Sequence, residues 1–156
     1  MDHIKVTLEG KKKLEEELEH RKISVRKEIK EAIKYARAQG DLSENADYSA
    51  AKEDQSLNET RIQELENMLK SVEIIEEDES NDQLNINRRA LVKFYDTDTV
   101  EEITLVSSVE ADIGKMKISI DSPIGIALFK KKVNIKVKVE APDYEYDVEI
   151  LKIFDK

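Results

Sequence analysis

The chain has 156 residues, of which 39% are apolar and 39% are charged. Since an average globular domain has about 25% charged residues, this composition disfavours one large spherical core and favours an elongated element with a narrow apolar seam. The net charge is −9, from 35 acidic and 26 basic side chains, so the chain is a poor candidate for coating duplex nucleic acid.

Several classes of site and location are also disfavoured. The absence of cysteine excludes disulfides and thiolate metal sites, and two histidines are too few for a typical zinc site. Residues 1–20 lack the apolar run of a signal peptide, and no stretch reaches the about 18 apolar residues that suggest a membrane span. We therefore expect a cytoplasmic monomer with no membrane association and no cofactor bound by the free protein.

Residues 1–75 carry a helical period on both sides of Gly40, which predicts an antiparallel coiled-coil hairpin. The seam positions recur at steps of three and four residues: Leu14, Leu18, Arg21, Val25, Ile29, Ala32 and Ala36, then Tyr48, Ala51, Gln55, Asn58, Ile62, Leu65, Leu69 and Val72. When the two seams are aligned as facing sides of an antiparallel hairpin, Ala36 pairs with Ala51 and Ile29 pairs with Asn58. This register centres the turn between residues 43 and 44, with small residues beside it.

The second half of the chain predicts a small α+β domain. Residues 76–88 are acidic and polar and are predicted as a linker, and residues 89–156 form the domain. Predicted strands cover residues 90–95, 100–107, 116–121, 133–140 and 144–154, and a short helix covers residues 124–129. The clearest strand signal is the apolar residue at every second position from 133 to 139.

The predicted turn is rich in acids, with Asp41, Glu44 and Asp47 inside seven residues. Carboxylate oxygens suit Mg²⁺, which takes one or two protein carboxylates and keeps most of its waters. Such a tip would hold the ion usefully only where a partner supplies the remaining ligands. Helix capping is the alternative interpretation, because Asp, Ser, Glu and Asn are the residues that helix ends prefer.

A pair of basic residues, Arg37 and Lys52, is predicted on opposite helices about one turn behind this tip. Such a pair could hold a phosphate backbone while the acids act on it. The alternative is a pair of solvated charges that offsets Asp41 and Glu44. The residues by themselves leave both interpretations open.

The sequence resembles the bacterial Gre transcript elongation and cleavage factors over nearly its whole length. The segments that carry the resemblance are residues 6–10, 14–18, 36–48, 50–55, 61–62, 65–66, 110–112 and 118–124. The tip segment, Ala36-Arg37-x-x-Gly40-Asp41-Leu42-Ser43-Glu44-Asn45-Ala46-Asp47-Tyr48, is long and specific. Leu42 favours the GreA branch of the family over the GreB branch.

The resemblance implies an α+β protein with a long N-terminal antiparallel α-helical coiled-coil hairpin, followed by a small FKBP-like α+β domain. It implies an accessory factor, not an enzyme, that binds RNA polymerase and places the hairpin in the secondary channel. There the polymerase's own cleavage of backtracked nascent RNA would be stimulated, which releases arrested complexes.

The resemblance also implies roles for individual residues. Asp41 and Glu44 match the acids that share a second Mg²⁺ with the polymerase, whereas Asp47 is less clearly matched and could serve the helix start instead. Arg37 and Lys52 match the basic spot that contacts the RNA 3′ end. The segment Asp121, Ser122 and Pro123 matches the part that docks on the coiled coil at the rim of the channel, and its alternative is a plain strand-to-helix turn.

Two departures from the family pattern lead to structural expectations. Arg26-Lys27 replaces the usual Arg-Pro, so we expect helix one to be more regular. Phe129-Lys130 replaces the usual Gly-Lys, so we expect the turn towards Val133 to be built differently.

Three other functions remain to be weighed against the leading one. The first is a Gre-like paralogue that occupies the channel and inhibits the polymerase without promoting cleavage. The second is an adaptor whose hairpin binds a partner helix, and for which the tip acids would be dispensable. The third is a free-standing metal-dependent hydrolase, which the shortage of histidine disfavours.

Overall fold

A computed structural model describes residues 3–77, 80 and 82–155, except for the side chain of Leu42. The chain divides into two compact units. One is Leu8–Val72, and the other combines Ile4–Thr7 with Glu73–Lys156. Over the described ranges, no helix is both long and apolar enough to cross a membrane.

The first unit is an antiparallel pair of helical arms. The first arm consists of α1 (Leu8–His20), a five-residue π-helical segment (Arg21–Val25) and α2 (Arg26–Ala38). The second arm is α3 (Ala46–Lys70). The predicted coiled-coil hairpin is confirmed, but the expectation that helix one is more regular is wrong. A π turn holds an extra residue and rotates the helix that follows it.

One seam position of α2 differs from the prediction. Ile33 is 9% exposed, whereas Ala32, the predicted seam residue, is exposed. Other apolar seam residues are buried as predicted: Leu14, Ala36, Ala51, Ile62 and Leu65. The predicted seam is therefore one position early at residue 32, and it agrees with the structure again at Ala36.

The register also differs from the one that periodicity predicted. The connection between α2 and α3 runs from Gln39 to Asn45, so it centres on Leu42 and not between residues 43 and 44. Asn58, predicted opposite Ile29, lines the same grooves as Ile29, and its Nδ2 also donates to the Arg21 carbonyl oxygen at 3.2 Å. Periodicity defines which faces meet, whereas polar contacts such as this one determine how far one helix slides along the other.

The second unit is built on a five-stranded sheet. Its strands are β3 (Arg89–Phe94), β4 (Thr99–Val106), β5 (Lys117–Ser119), β6 (Lys136–Glu140) and β7 (Glu145–Ile153). They lie side by side in the order β5-β4-β3-β7-β6. Neighbours are antiparallel except β4 and β5, which are parallel. The predicted α+β class is confirmed, and the observed strands fall within a residue or so of most predicted ones.

One helix, α4 (Pro123–Leu128), contributes Leu128 to the core beside alternate residues of the strands. Buried strand residues include Val92, Leu105, Val139 and Ile150. Gly125 is required where α4 meets β5, because a Cβ there would overlap the Ser119 carbonyl oxygen.

Two short strands were not predicted. β1 (Ile4–Val6) and β2 (Val72–Ile74) form a two-stranded sheet, and the Ile75 N–H donates to the Val6 carbonyl oxygen at 2.8 Å. Three residues are too few to show an alternating pattern, so the sequence carried no recognisable signal for them.

Residues 76–88 were predicted as a linker, but part of this segment is packed in the core of the second unit. Leu84 and Ile86 are 0% and 1% exposed and belong to the core of the second unit. The Lys130 N–H donates to the Leu84 carbonyl oxygen at 2.6 Å, and the Leu84 N–H donates to the Lys131 carbonyl oxygen at 2.9 Å. Acidic composition resembled a linker, but these long-range contacts make part of the segment integral to the domain.

The same contacts explain the turn after α4. Lys130 has φ +62° and Asn134 has φ +61°, so non-glycine residues take the left-handed conformations that the turn requires. The paired hydrogen bonds to Leu84 hold Lys130 in a conformation that glycine would adopt at lower cost.

Candidate functional site

The exposed tip of the hairpin begins at a left-handed glycine. Gly40 has φ +115°, and the N–H of Gln39 donates to the Ala36 carbonyl oxygen at 3.1 Å as α2 ends. A Cβ on Gly40 would meet no atom within 4 Å, so the backbone conformation and not lack of space favours glycine.

The next residue, Asp41, accepts two hydrogen bonds with one of its carboxylate oxygens. Its Oδ1 accepts the backbone N–H of Ser43 at 3.0 Å and the hydroxyl of Ser43 at 2.8 Å. Both bonds favour the ionised carboxylate, the hydroxyl most, so the pKa of Asp41 lies below its usual value. In the part of the chain that the structure describes, Oδ2 has no hydrogen-bond or ion-pair partner.

Glu44 ends the 3₁₀ turn Leu42–Glu44 that Asp41 begins, and its side chain is exposed. Asp47 lies in the first turn of α3, where the positive end of the helix favours an acid. The structure therefore brings Asp41 and Glu44 into one short turn and places Asp47 on the helix. Within the described ranges, no three His, Cys, Asp or Glu side chains are grouped to hold a metal ion.

Asn45 joins the two helices behind these acids. Its Oδ1 accepts the Tyr48 N–H at 3.0 Å, which caps α3, and its Nδ2 donates to the Ala36 carbonyl oxygen at 2.7 Å, near the end of α2. The capping interpretation of the tip is thus correct for Asn45, and partly for Asp41, which caps the 3₁₀ turn. It leaves Glu44 unexplained.

Arg37 lies in the last turn of α2 and Lys52 in α3, and both are exposed. The Lys52 Nζ donates to Gln55 Oε1 at 2.9 Å within its own helix. Among the residues that the structure describes, neither cation forms an ion pair with Asp41 or Glu44. The exposure of both side chains fits a pair of solvated charges as well as a pair that binds phosphate.

The candidate docking segment forms the start of α4. Ser122 Oγ accepts the Gly125 N–H at 3.1 Å and donates to the Ser119 carbonyl oxygen at 2.6 Å, and Pro123 occupies the first helical turn. Asp121 is exposed. Its N–H donates to Ser119 Oγ at 3.0 Å. The strand-to-helix turn that was the alternative is therefore present, and it presents the Asp121 carboxylate to solvent.

Family comparisons cover the whole architecture just described. A model described as "Transcription elongation factor, N-terminal" matches residues 4–74, and one described as "Transcription elongation factor, GreA/GreB, C-term" matches residues 68–155. The chain belongs to the GreA/GreB family of transcription elongation factors. The predicted family resemblance is confirmed.

Individual relatives agree with this assignment to the GreA/GreB family. Transcription elongation factor GreA of Thermoanaerobacter pseudethanolicus is 50% identical over 95% of this chain and 95% of its own length. Proteins of the same name from Clostridium acetobutylicum and Bacillus subtilis are 47% and 46% identical, each over 95% of this chain and 94% of their own length. The solved structure of GreA factor homolog 1 (Gfh1) from Thermus thermophilus covers 98% of this chain and 99% of that one, with 25% identity and TM-score 0.42.

This GreA/GreB chain also contains a polar network that the sequence analysis missed. Glu17 accepts two bonds from Arg61, each at 2.9 Å, and one from Arg21 Nε at 3.1 Å. The Arg21 guanidinium also donates to Asn58 Oδ1 at 3.2 Å. Arg61 lowers the pKa of Glu17, and Glu17 raises the pKa of Arg61. Two polar residues at seam positions, Arg21 and Asn58, were the available signal.

Proposed function

We propose that this chain binds RNA polymerase, inserts the hairpin tip into its secondary channel, and stimulates the polymerase's own hydrolysis of backtracked nascent RNA. The observation that carries the proposal is the pair of exposed acids in one turn at the end of the hairpin. Among the residues that the structure describes, Asp41 Oδ2 has no partner and Glu44 caps no helix. Membership of a transcription elongation factor family supports the same proposal.

The donor set fits a Mg²⁺ ion that is shared with the partner. Mg²⁺ commonly takes one or two protein carboxylates and keeps most of its waters, so Asp41 and Glu44 could hold it together with ligands from the polymerase. When bound, a second metal ion would help activate a water and stabilise the leaving oxygen. The free chain would then bind no cofactor of its own.

Each tip acid has a distinct part in this proposal. Asp41 would ligate the ion through Oδ2, since its Oδ1 is bonded to Ser43. The hydrogen bonds from Ser43 lower the pKa of this carboxyl, which favours the ionised form that can ligate. Glu44 would supply a second oxygen or orient the attacking water, and its exposure allows either. Asp47 would remain a favourable charge at the start of α3.

The basic pair would bind the RNA 3′ end. Arg37 and Lys52 are exposed, and Arg37 lies three residues before the glycine that opens the tip. Long cationic side chains at this position can contact phosphate oxygens while the acids act at the scissile bond. Under this proposal the chain works as a monomer and as an accessory factor, because the polymerase supplies the catalytic centre.

Asp121, Ser122 and Pro123 would dock on the coiled coil at the rim of the polymerase channel. The capped start of α4 holds this segment rigidly, and the Asp121 carboxylate faces solvent where a basic partner could pair with it. Docking and chemistry would then reside in different units of the chain, so they can be tested apart.

Transcript cleavage in a halted, backtracked elongation complex with Mg²⁺ tests the proposal. We expect the native chain to shorten the RNA and the double variant Asp41→Ala, Glu44→Ala to lose most of this stimulation, by about 100-fold or more. A matched control, Glu53→Ala with Asp54→Ala, removes the same charge from exposed positions on α3 and should retain activity.

The other functions predict other outcomes of this assay. Competition for the channel without RNA shortening, by both the native chain and the variant, would favour the inhibitory paralogue. Full activity of the tip variant would contradict the proposal and favour an adaptor whose helices alone bind the partner.

A further inference from the structure

Asn45 is the one described residue of the tip whose side chain bonds to both helices of the hairpin. Its acceptor end caps α3 at Tyr48, and its donor end reaches the Ala36 carbonyl oxygen nine residues earlier. The 2.7 Å bond to Ala36 is shorter than the 3.0 Å cap, and Asn45 is half-buried whereas its neighbours Glu44 and Ala46 are exposed.

The Ala36–Asn45 bond closes a loop that contains both tip acids. Asp41 and Glu44 lie between the two bonded residues, so the bond ties together the ends of the segment that carries them. Ordering the ends of a short loop removes much of its conformational freedom before any partner binds. The Asp41 contacts with Ser43 are local to the turn and do not connect it to either helix.

We propose that Asn45 is a positioning residue for transcript cleavage. Its bond to the Ala36 carbonyl oxygen fixes the position of the turn relative to the ends of the two helices. Asp41 and Glu44 are then presented together to the shared ion. This inference rests on the proposed function. Loss of the bond leaves both acids present but loosely placed, which reduces the reaction rate more than it reduces binding of the factor.

Two substitutions distinguish the effect of the bond to Ala36 from the effect of capping α3. Asn45→Asp keeps a carboxylate acceptor for the Tyr48 N–H but has no N–H to donate to Ala36. Asn45→Ser also caps the helix, is neutral, and has a side chain too short to reach across the turn. Ser49→Asp is the charge control, because it adds an acid to an exposed position of α3 and leaves the Asn45 side chain intact.

The experiment measures cleavage rate against factor concentration and against Mg²⁺ concentration, with thermal melting to verify folding. For Asn45→Asp and Asn45→Ser we expect the rate at saturating factor to fall about 10-fold to 100-fold. The half-saturating factor concentration should change less than about 2-fold, and the Mg²⁺ needed for half-maximal rate should rise. Ser49→Asp should behave as the native chain does.

Failure of the inference is distinct from failure of the proposed function. If the native chain stimulates cleavage and both Asn45 variants match it in rate and Mg²⁺ dependence, the positioning role is overturned and the proposed function stands. A change in half-saturating concentration alone would also overturn the role, since it assigns Asn45 to binding. If the native chain does not stimulate cleavage, the proposed function and the inference fail together.

Discussion

At the scale of single residues, Ser43 lowers the pKa of Asp41. The hydroxyl and the backbone N–H of Ser43 both donate to one carboxylate oxygen, and both lower the pKa of Asp41. Because hydrogen bonds to a carboxylate favour its charged form, the acid that would ligate the ion stays ionised to lower pH than a free aspartate.

Ser43→Ala is expected to raise the pKa of Asp41 towards its ordinary value. The variant keeps the backbone N–H and loses the hydroxyl, so Asp41 should become protonated at a higher pH than in the native chain. NMR titration of the Asp41 carboxyl carbon measures this directly. Ser56→Ala, at an exposed position within α3, is the control, and an unchanged Asp41 titration in Ser43→Ala would contradict the argument.

At the scale of elements, the hairpin owes its register to polar contacts as well as to its seam. Asn58 donates to the Arg21 carbonyl oxygen beside the π-helical segment, and Glu17 joins Arg61 of the opposite arm. Two further ion pairs cross between the arms, from Arg26 to Glu59 at 2.7 Å and from Lys22 to Glu66 at 3.2 Å. With alanines at two seam positions, Ala36 and Ala51, apolar packing by itself would specify the register weakly.

The ion pair of Glu17 predicts how the stability of the hairpin depends on pH. The pKa of Glu17 in the folded chain lies below its usual 4.5. The stabilisation of the hairpin by ionised Glu17 is therefore complete at pH values above 4.5, the usual pKa. It is lost as the pH falls from there towards the lower pKa that Glu17 has in the folded chain. We expect Glu17→Gln to lower the free energy of unfolding by about 1 kcal/mol at neutral pH, and by less in acid.

Chemical denaturation at neutral pH and at about pH 3 provides the measurement. Glu16→Gln is the matched control, because Glu16 is exposed on the same helix and no pair with it is found in the described ranges. An equal loss of stability for Glu17→Gln at both pH values would show that packing, and not the charge of Glu17, carries the effect.

At the scale of the whole molecule, the chain divides the proposed work between two units. The hairpin carries Asp41, Glu44 and the basic pair, and the sheet unit carries the segment at the start of α4. Each unit has its own buried residues, so a surface substitution in one should leave the other folded.

Asp121→Lys is expected to weaken binding to the polymerase while the tip remains competent. Reversing an exposed charge at a docking surface should raise the half-saturating factor concentration about 10-fold, with little change in the cleavage rate at saturation. Asp143→Lys makes the same charge change at another exposed position of the unit and is the control. A lower saturating rate for Asp121→Lys would contradict the separation of roles.

By itself the sequence determined the architecture, and it supplied the candidates for the site. Steps of three and four residues, alternation at every second residue, and the acid-rich turn at Gly40 are local patterns, and local patterns are what secondary structure follows. Asp41 and Glu44 became candidates because they lie in the tip segment that carries the family resemblance, and their roles stay a prediction. The predicted hairpin, the sheet unit and the family all correspond to what is observed.

Only the tertiary structure decided features that depend on residues far apart in the chain. The π-helical segment interrupts the first arm, Ile33 and not Ala32 is buried, and Asn58 bonds to the Arg21 carbonyl oxygen of the opposite arm. Leu84 joined the core through bonds to residues more than forty positions away, so an acidic segment that resembled a linker became part of a domain. The bond from Asn45 to Ala36 could not be predicted from the sequence. An asparagine that only caps a helix has the same sequence pattern as one whose side chain also bonds to the preceding helix.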